Sequence, residues 1–297
     1  LRANNLEHAL ELANAVPYGL TSGLHSLDER EQTLWLERIE AGNLYINRTI
    51  TGAIVRRQPF GGTKASNFGG GSKAGGPNYL RELMKATQVG LPQEKAPVNE
   101  WVNHLMPFLE KLNLAAEELG AWTASIASYA YWWQRLQQGR DPTKIVGQDN
   151  YLEYRPRKRI TFRVMADSKP LDALRLIAAA LTCGASVEVS WSPSELKGPQ
   201  YSWLELIPIL ALKKETHEEF LKRVEEGLME RIRIIQKAPA DLYFASAVSG
   251  VTIIDAPVLA NGRWELLHFL REVAVSIDYH RYGNLGAREG ELRKPIL

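Results

Sequence analysis

Residues 3–16, ANNLEHALELANAV, place apolar side chains at Leu6, Ala9, Leu10 and Ala13. That spacing lines one face of a helix, and Pro17-Tyr18-Gly19-Leu20 ends it with a turn. The pattern then predicts a strand over 20–26 and an amphipathic helix over 28–41, with Asp28 as N-cap and Gly42 as its stop. Asn43–Asn47 reads as a short buried strand. From Thr51 to Gly76 the chain is irregular and glycine-rich, with Phe60, Phe68 and Tyr79 interleaved, the composition of a working loop rather than a spacer. A short helix over 78–84 and a strand over 84–90 follow.

Residues 91–100, LPQEKAPVNE, have linker composition, and a helical stretch runs from about 100 to 139 with the aromatic run Tyr129, Tyr131, Trp132 and Trp133, which reads as packing. Beyond it, strands over 160–165, 186–191, 231–236 and 251–255 alternate with helices over 170–182, 216–229, 238–248 and 264–273. Alternation of this kind predicts an α/β fold with a parallel sheet.

The chain of 297 residues is long enough for two ordinary domains, or for one and the tail of another. It opens on Leu1, and residues 6–15 already read as the middle of a domain, so the chain is expected to begin inside a fold. A net charge of +2 gives no support for a nucleic-acid partner, and the run Arg155-Pro156-Arg157-Lys158-Arg159 reads as a solvated strand edge. The single cysteine, Cys183, cannot form an internal disulfide and favours a cytoplasmic setting. No apolar run reaches the roughly 18–20 residues of a transmembrane segment, and the first residues do not read as a signal peptide.

Little metal or nucleotide chemistry is legible. The six histidines show no HxxxH spacing, so no metal site is expected. Gly69-x-Gly71-x-x-Ala74 fits a relaxed dinucleotide fingerprint but follows no strand of a βαβ unit and is rejected. After the strand at 160–165 the chain reads Asp167-Ser168-Lys169-Pro170, without glycine. Cys183 sits at the end of an apolar helix and reads as a buried structural residue.

The segments ANAVPYGLTSGLHS, AGNLYINR and QPFGGTKAS resemble the last part of an aldehyde dehydrogenase catalytic domain. TGAIVRRQPFGG followed by KAGGPNYL resembles, more narrowly, the L-glutamate γ-semialdehyde (1-pyrroline-5-carboxylate) dehydrogenases and the C-terminal half of bifunctional proline-utilisation flavoproteins. The resemblance implies part of an NAD-dependent oxidoreductase that converts L-glutamate γ-semialdehyde to L-glutamate in proline catabolism. It implies that Thr51, Gly52 and Ala53 anchor the substrate's α-carboxylate and that Phe60 walls the aldehyde pocket, with Lys64 and Ser66 structural. Glycine-bearing turns suit anion binding because they expose N–H groups. Asn67, where many members have glycine, puts the local loop shape in doubt.

In that family the cysteine nucleophile, the glutamate base, the oxyanion-binding asparagine and the NAD pocket lie before the point where this chain begins. No catalytic, cofactor-binding or metal-binding residue is therefore assigned within it, and the chain alone is expected to be inactive. FAD would belong to a proline dehydrogenase domain upstream. Gly147-Gln148-Asp149-Asn150, Tyr154-Arg155-Pro156 and His280-Arg281-Tyr282-Gly283-Asn284-Leu285 resemble the extra C-terminal domain of the longer proline-utilisation proteins, a non-catalytic relative of the nucleotide-binding fold. The expected organisation is thus a catalytic-domain tail over 1–92, a helical linker over 93–141 and a non-catalytic, Rossmann-like α/β domain over 142–297. Arg263, Glu265 and Arg281 are expected at interdomain contacts. The partners implied are a small-molecule aldehyde, the remainder of the dehydrogenase and further copies in a homo-oligomer. Two other readings stay open: an assembly module that completes a separate dehydrogenase chain, and an independent nucleotide-binding domain over 142–297.

Overall fold

A computed structural model describes residues 1–67, 69–196, 204–205, 207, 211–280 and 284–285. In chain order the first elements are α1 (Leu6–Asn14), β1 (Tyr18–Gly19), β2 (Thr21–Leu24), α2 (Glu29–Arg38), β3 (Asn43–Ile46), β4 (Thr63–Lys64) and a 3₁₀ turn at Tyr79–Leu83. Next come α3 (Glu100–Asn103), α4 (Met106–Glu110), α5 (Ala116–Leu136), β5 (Gln148–Pro156), β6 (Ile160–Val164), α6 (Pro170–Cys183), β7 (Val187–Trp191) and β8 (Ala211–Lys214). The last are α7 (His217–Glu225), β9 (Arg231–Arg233), α8 (Ala240–Ser249), β10 (Thr252–Ile254), α9 (Gly262–Glu265) and β11 (Leu270–Asp278).

Contacts divide the chain into two compact units. The first comprises Leu1–Met84, Gln137–Arg155 and Arg271–Leu297, the second Lys85–Leu136 and Pro156–Leu270. This grouping differs from the chain-order division 1–92, 93–141 and 142–297, because residues 137–155 and 271 onward group with residues 1–84 rather than with the α/β unit that separates them in sequence.

The first unit is built on a sheet of order β2-β3-β11-β5. β3 lies parallel to both β2 and β11, Asn43 pairing with Thr21 on one side and Ala274 on the other. Its four residues are all buried, as expected of a strand with neighbours on both edges. α1 and α2 lay Leu10 and Trp35 into the core with Leu44, Ile46, Val273 and Val275. Asp28 caps α2 by accepting from Arg30 N at 2.9 Å. Gly42 is not the stop of α2, which ends at Arg38 with Ile39 already extended. It is glycine because a Cβ there would meet Gly61 O at 2.0 Å.

The second unit carries a parallel sheet of order β10-β9-β6-β7-β8. All five residues of its central strand, β6, are buried. α6 is apolar on nearly every face and ends at Gly184, whose φ of 71° closes the helix in the left-handed conformation. α7 and α8 pack Phe220, Val224 and Leu242 against Ile232 and Ile234 of the β9 region.

Several expectations fail for local reasons. The helix expected over 264–273 is one α-turn at α9 and a 3₁₀ turn at Leu266–His268, after which β11 begins. Leu270, Glu272, Ala274 and Ser276 alternate with Arg271, Val273, Val275 and Ile277, and burial on both faces hides that period of two. β5 was likewise not expected. Residues 84–90 form no strand. The helical stretch over 100–139 breaks into α3, α4 and α5, with Asn113 at φ 48° between the last two.

Candidate functional site

Thr51, Gly52 and Ala53 follow β3 and lie exposed in an irregular turn. Gly52 has φ 117°, a conformation that a side chain would strain. Among the described residues, no hydrogen bond engages the backbone N–H of Gly52 or Ala53. The chain then doubles back: Ile54 N donates to Gln58 O at 3.2 Å and Gln58 N to Ile54 O at 2.7 Å, across a tip where Arg56 has φ 64°. The Gly52 turn and Phe60 therefore stand at the two ends of one narrow hairpin.

Three buried polar side chains fix that hairpin. Asn43, at the start of β3, holds both peptides flanking Phe60: its Nδ2 donates to Pro59 O at 2.9 Å and its Oδ1 accepts from Gly61 N at 3.1 Å. Phe60 in turn bridges Ala74, with N–H···O bonds of 2.9 and 2.8 Å, and its ring is half-buried. Lys73 reaches under the loop to Asn43 Oδ1 at 3.1 Å and to Gly61 O. Burial pushes its ammonium down to about 7, with Glu272 opposing the shift and Arg271 adding to it. Gln58 is the third buried polar group, only 2% exposed, with Asn150 and Ser276 beside it. Sequence reasoning missed Lys73, Gln58, Asn150 and Ser276. Each has at least one partner 30 or more residues away in the chain, and Ser276 lay beyond the last helix expected, on a strand that was not read.

Ser66 fastens the loop to β1, its Oγ accepting from Gly19 N at 3.2 Å, and Lys64 ties it to the end of α1 and to Glu40, its Nζ donating to Asn14 O at 2.5 Å and pairing with Glu40 at 2.8 Å. A cleft of about 660 Å³ opens at the carboxyl ends of β2, β3 and β11, lined among others by His25, Asn47, Asp149, Asp278 and His280. No group of three or more His, Cys, Asp or Glu among the described residues is placed to hold a metal ion.

In the second unit, strand order reverses between β6 and β9, the position where open α/β sheets take up ligands. There the turn after β6 is bridged by its own side chains and by Gln236, which follows β9. Ser168 Oγ accepts from Met165 N at 3.0 Å and lies 3.2 Å from Gln236 Oε1, while Gln236 Nε2 donates to Asp167. No glycine lets a backbone approach a pyrophosphate, so these residues do not fit a dinucleotide. Cys183 is buried, its Sγ 3.5 Å from Ala180 O, and burial pushes the thiol up to about 12. That is far from the thiolate a nucleophile needs.

Glu265, expected at an interdomain contact, lies inside the second unit, fully buried against Arg233 and Leu259 N. Arg263 lies over the rings of Trp132 and Trp264 in the same unit. Phe68 and Arg281 fall outside the described residues. No helix among the described residues is long and apolar enough to cross a membrane.

Residues 1–89 match the family model described as the aldehyde dehydrogenase family. Over 287 residues the chain is 31% identical to the bifunctional protein PutA of Rhizobium meliloti, covering 93% of this chain and 22% of that protein. Over 88 residues it is 48% identical to the 1-pyrroline-5-carboxylate dehydrogenase of Geobacillus sp. (strain WCH70), covering 30% of this chain and 17% of that one. Among solved structures it matches proline utilization A from Corynebacterium freiburgense, with a TM-score of 0.68 and 35% identity over 95% of this chain and 25% of that chain. It spans about a fifth of the length of these relatives. The first 89 residues thus match the aldehyde dehydrogenase family model, and nearly the whole chain is similar in sequence and fold to part of the proline-utilisation proteins.

Proposed function

We propose that this chain is the substrate-anchoring part of a dehydrogenase that oxidises L-glutamate γ-semialdehyde to L-glutamate with NAD. The observation that carries the reading is the Gly52 turn: an exposed, positive-φ glycine whose N–H, like that of Ala53, has no acceptor among the described residues. Two such donors suit an α-carboxylate, and hydrogen bonds to a charged group contribute about 1.5–3 kcal/mol each. Thr51 adds a hydroxyl at the same turn. Phe60, held from both sides by Asn43, would wall the aldehyde and keep water from the reacting carbon.

NAD would supply the hydride acceptor. The bridged turn after β6 does not fit its pyrophosphate, so on this reading NAD belongs to residues outside this chain, as does the thiol nucleophile. The chain alone should then be inactive. The test is NADH formation from 1-pyrroline-5-carboxylate by the complete polypeptide encoded with this chain, compared with a Gly52→Val variant. Turnover that the variant loses through a raised KM supports the reading. Absence of turnover in the complete polypeptide overturns it.

A second reading, an assembly module that completes a separate dehydrogenase chain, is favoured by exposed Val16, Tyr18, Leu20, Leu27 and Ile50 in the first unit. A complete reading frame that begins near Leu1 would select it.

A further inference from the structure

Gly52 and Ala53 share one trans peptide plane, so the Gly52 carbonyl and the Ala53 N–H point in opposite directions. Whatever holds that carbonyl inward aims the N–H outward. The group placed to hold it is Gln58. A Cβ on Gly52 would lie 3.3 Å from the Gln58 amide and 3.6 Å from Arg48 Nη2, so the turn rests on these two side chains.

The Gln58 amide has two ends to satisfy in a site closed to water. With its nitrogen toward the turn, both are met: Nε2 donates to Gly52 O and Oε1 accepts from Arg48 Nη1 at 2.6 Å. Arg48 Nη1 also donates to Ser276 Oγ at 2.7 Å, and Ser276 Oγ donates to Asn150 Oδ1 at 2.8 Å. Gln58, Asn150 and Ser276 are each at most 2% exposed. The carbonyl of an exposed turn is thus tied to a buried relay anchored on β11 and β5.

We propose that Gln58 is a positioning residue for substrate binding: through its bond to the Gly52 carbonyl, backed by Arg48, Ser276 and Asn150, it aims the Ala53 N–H at the substrate's α-carboxylate. The proposal rests on the anchoring role given to the Gly52 turn above. Gln58 touches no substrate. Its loss frees the 52–53 peptide to rotate, which weakens binding of a carboxylate and leaves an aldehyde without one unaffected.

The experiment is steady-state kinetics of the complete polypeptide with L-glutamate γ-semialdehyde and with propanal, which has no carboxylate, for wild type, Gln58→Leu and the milder Ser276→Ala. L-Glutamate titration by calorimetry supplies a readout independent of turnover. Gln58→Leu is expected to raise KM for the γ-semialdehyde and weaken glutamate binding by about tenfold, the scale of one lost charge-assisted hydrogen bond, with kcat within about twofold. Ser276→Ala, which leaves the Gly52 bond in place, should give a smaller shift in the same direction, and propanal kcat/KM should stay constant in both. Equal losses on both aldehydes, or no change in KM for the γ-semialdehyde in either variant, overturn the proposal. A wild-type enzyme that turns over propanal but not the γ-semialdehyde overturns the anchoring role of the turn, and this proposal with it.

Discussion

The backbone N–H of Lys73 donates to Glu272 Oε2 at 2.9 Å, joining residues 199 positions apart. The other oxygen of the same carboxylate accepts from Asn78 Nδ2, which also reaches the Tyr154 hydroxyl at 2.8 Å. The loop that carries Phe60 therefore leans on β11 through one buried anion. Glu272→Ala would leave the Lys73 N–H and the Asn78 amide short of an acceptor and remove the anion nearest the Lys73 ammonium. Unsatisfied buried groups cost about 1–3 kcal/mol each, so urea unfolding should show a loss of about 3 kcal/mol, and Glu272→Gln a smaller one. A change within about 0.5 kcal/mol, the range of ordinary surface substitutions, would show that the cluster does not hold the loop.

Lys73 makes the stability of this unit depend on pH in a direction opposite to the usual lysine. Burial lowers its folded-state value to about 7 from 10.5. Below about 7 both folded and unfolded states carry the proton, and the cost of burying it is fully present. Between the two values the unfolded state binds the proton and the folded state does not, so stability rises with pH, by up to about 1.4 kcal/mol per unit. A neutral amine still has two N–H groups, enough for Asn43 Oδ1 and Gly61 O. The stability difference between wild type and Lys73→Met should therefore move in favour of wild type from pH 7 to 10. Parallel curves across that range would place the titration of Lys73 elsewhere.

In the second unit, Arg233 and Glu265 pair at 3.2 Å with side chains 1% and 0% exposed. Arg233 Nη1 also donates to Ile234 O and Ala256 O at 2.7 Å, and Glu265 Oε2 accepts from Leu259 N at 2.9 Å. Removing one member strands a buried charge, at about 3–5 kcal/mol. Glu265→Ala should lose that much, while Arg233→Met with Glu265→Met should lose less than the sum of the two single changes. A double-mutant cycle by urea unfolding measures the difference. Additive losses would mean that the pair does not act as one.

What the sequence made legible follows the range of the interactions. α1, α2 with its Asp28 cap, α6 and four strands of the parallel sheet, β6, β7, β9 and β10, rest on patterns contained within some ten residues and were readable, whereas the edge strand β8 was not. The Gly52 turn and Phe60 were marked by motif resemblance. Their supports were not, because Gln58, Lys73 and Asn43 act through partners on β11, β5 and a distant loop. β11 was the decisive miss: buried on both faces, its alternation disappears, and WELLHFLREV spaces apolar residues well enough to imitate a helix. Without β11 as a strand, neither Ser276 nor Glu272 could be set beside the loop, and residues 271 onward could not be grouped with the first unit.

Two glycines separate close approach from backbone conformation. Gly42 has an ordinary φ, but a Cβ would meet Gly61 O at 2.0 Å and Gly62 Cα at 2.7 Å, both backbone. Relief requires the 61–62 segment to move away from β3, against the Asn43 bond to Gly61 N and the Lys73 bond to Gly61 O. Gly184 has φ 71° and open space where its Cβ would go, so alanine there meets only the left-handed backbone penalty, about 1–2 kcal/mol. Gly42→Ala should therefore cost more than Gly184→Ala, in the overpacking range of about 1–3 kcal/mol or beyond, and should also raise amide exchange across 59–62. Gly184→Ala should leave that exchange unchanged. Hydrogen exchange with urea unfolding reads both quantities, and equal losses with a quiet 59–62 segment in each variant would show that β3 and the Phe60 loop are not packed backbone to backbone.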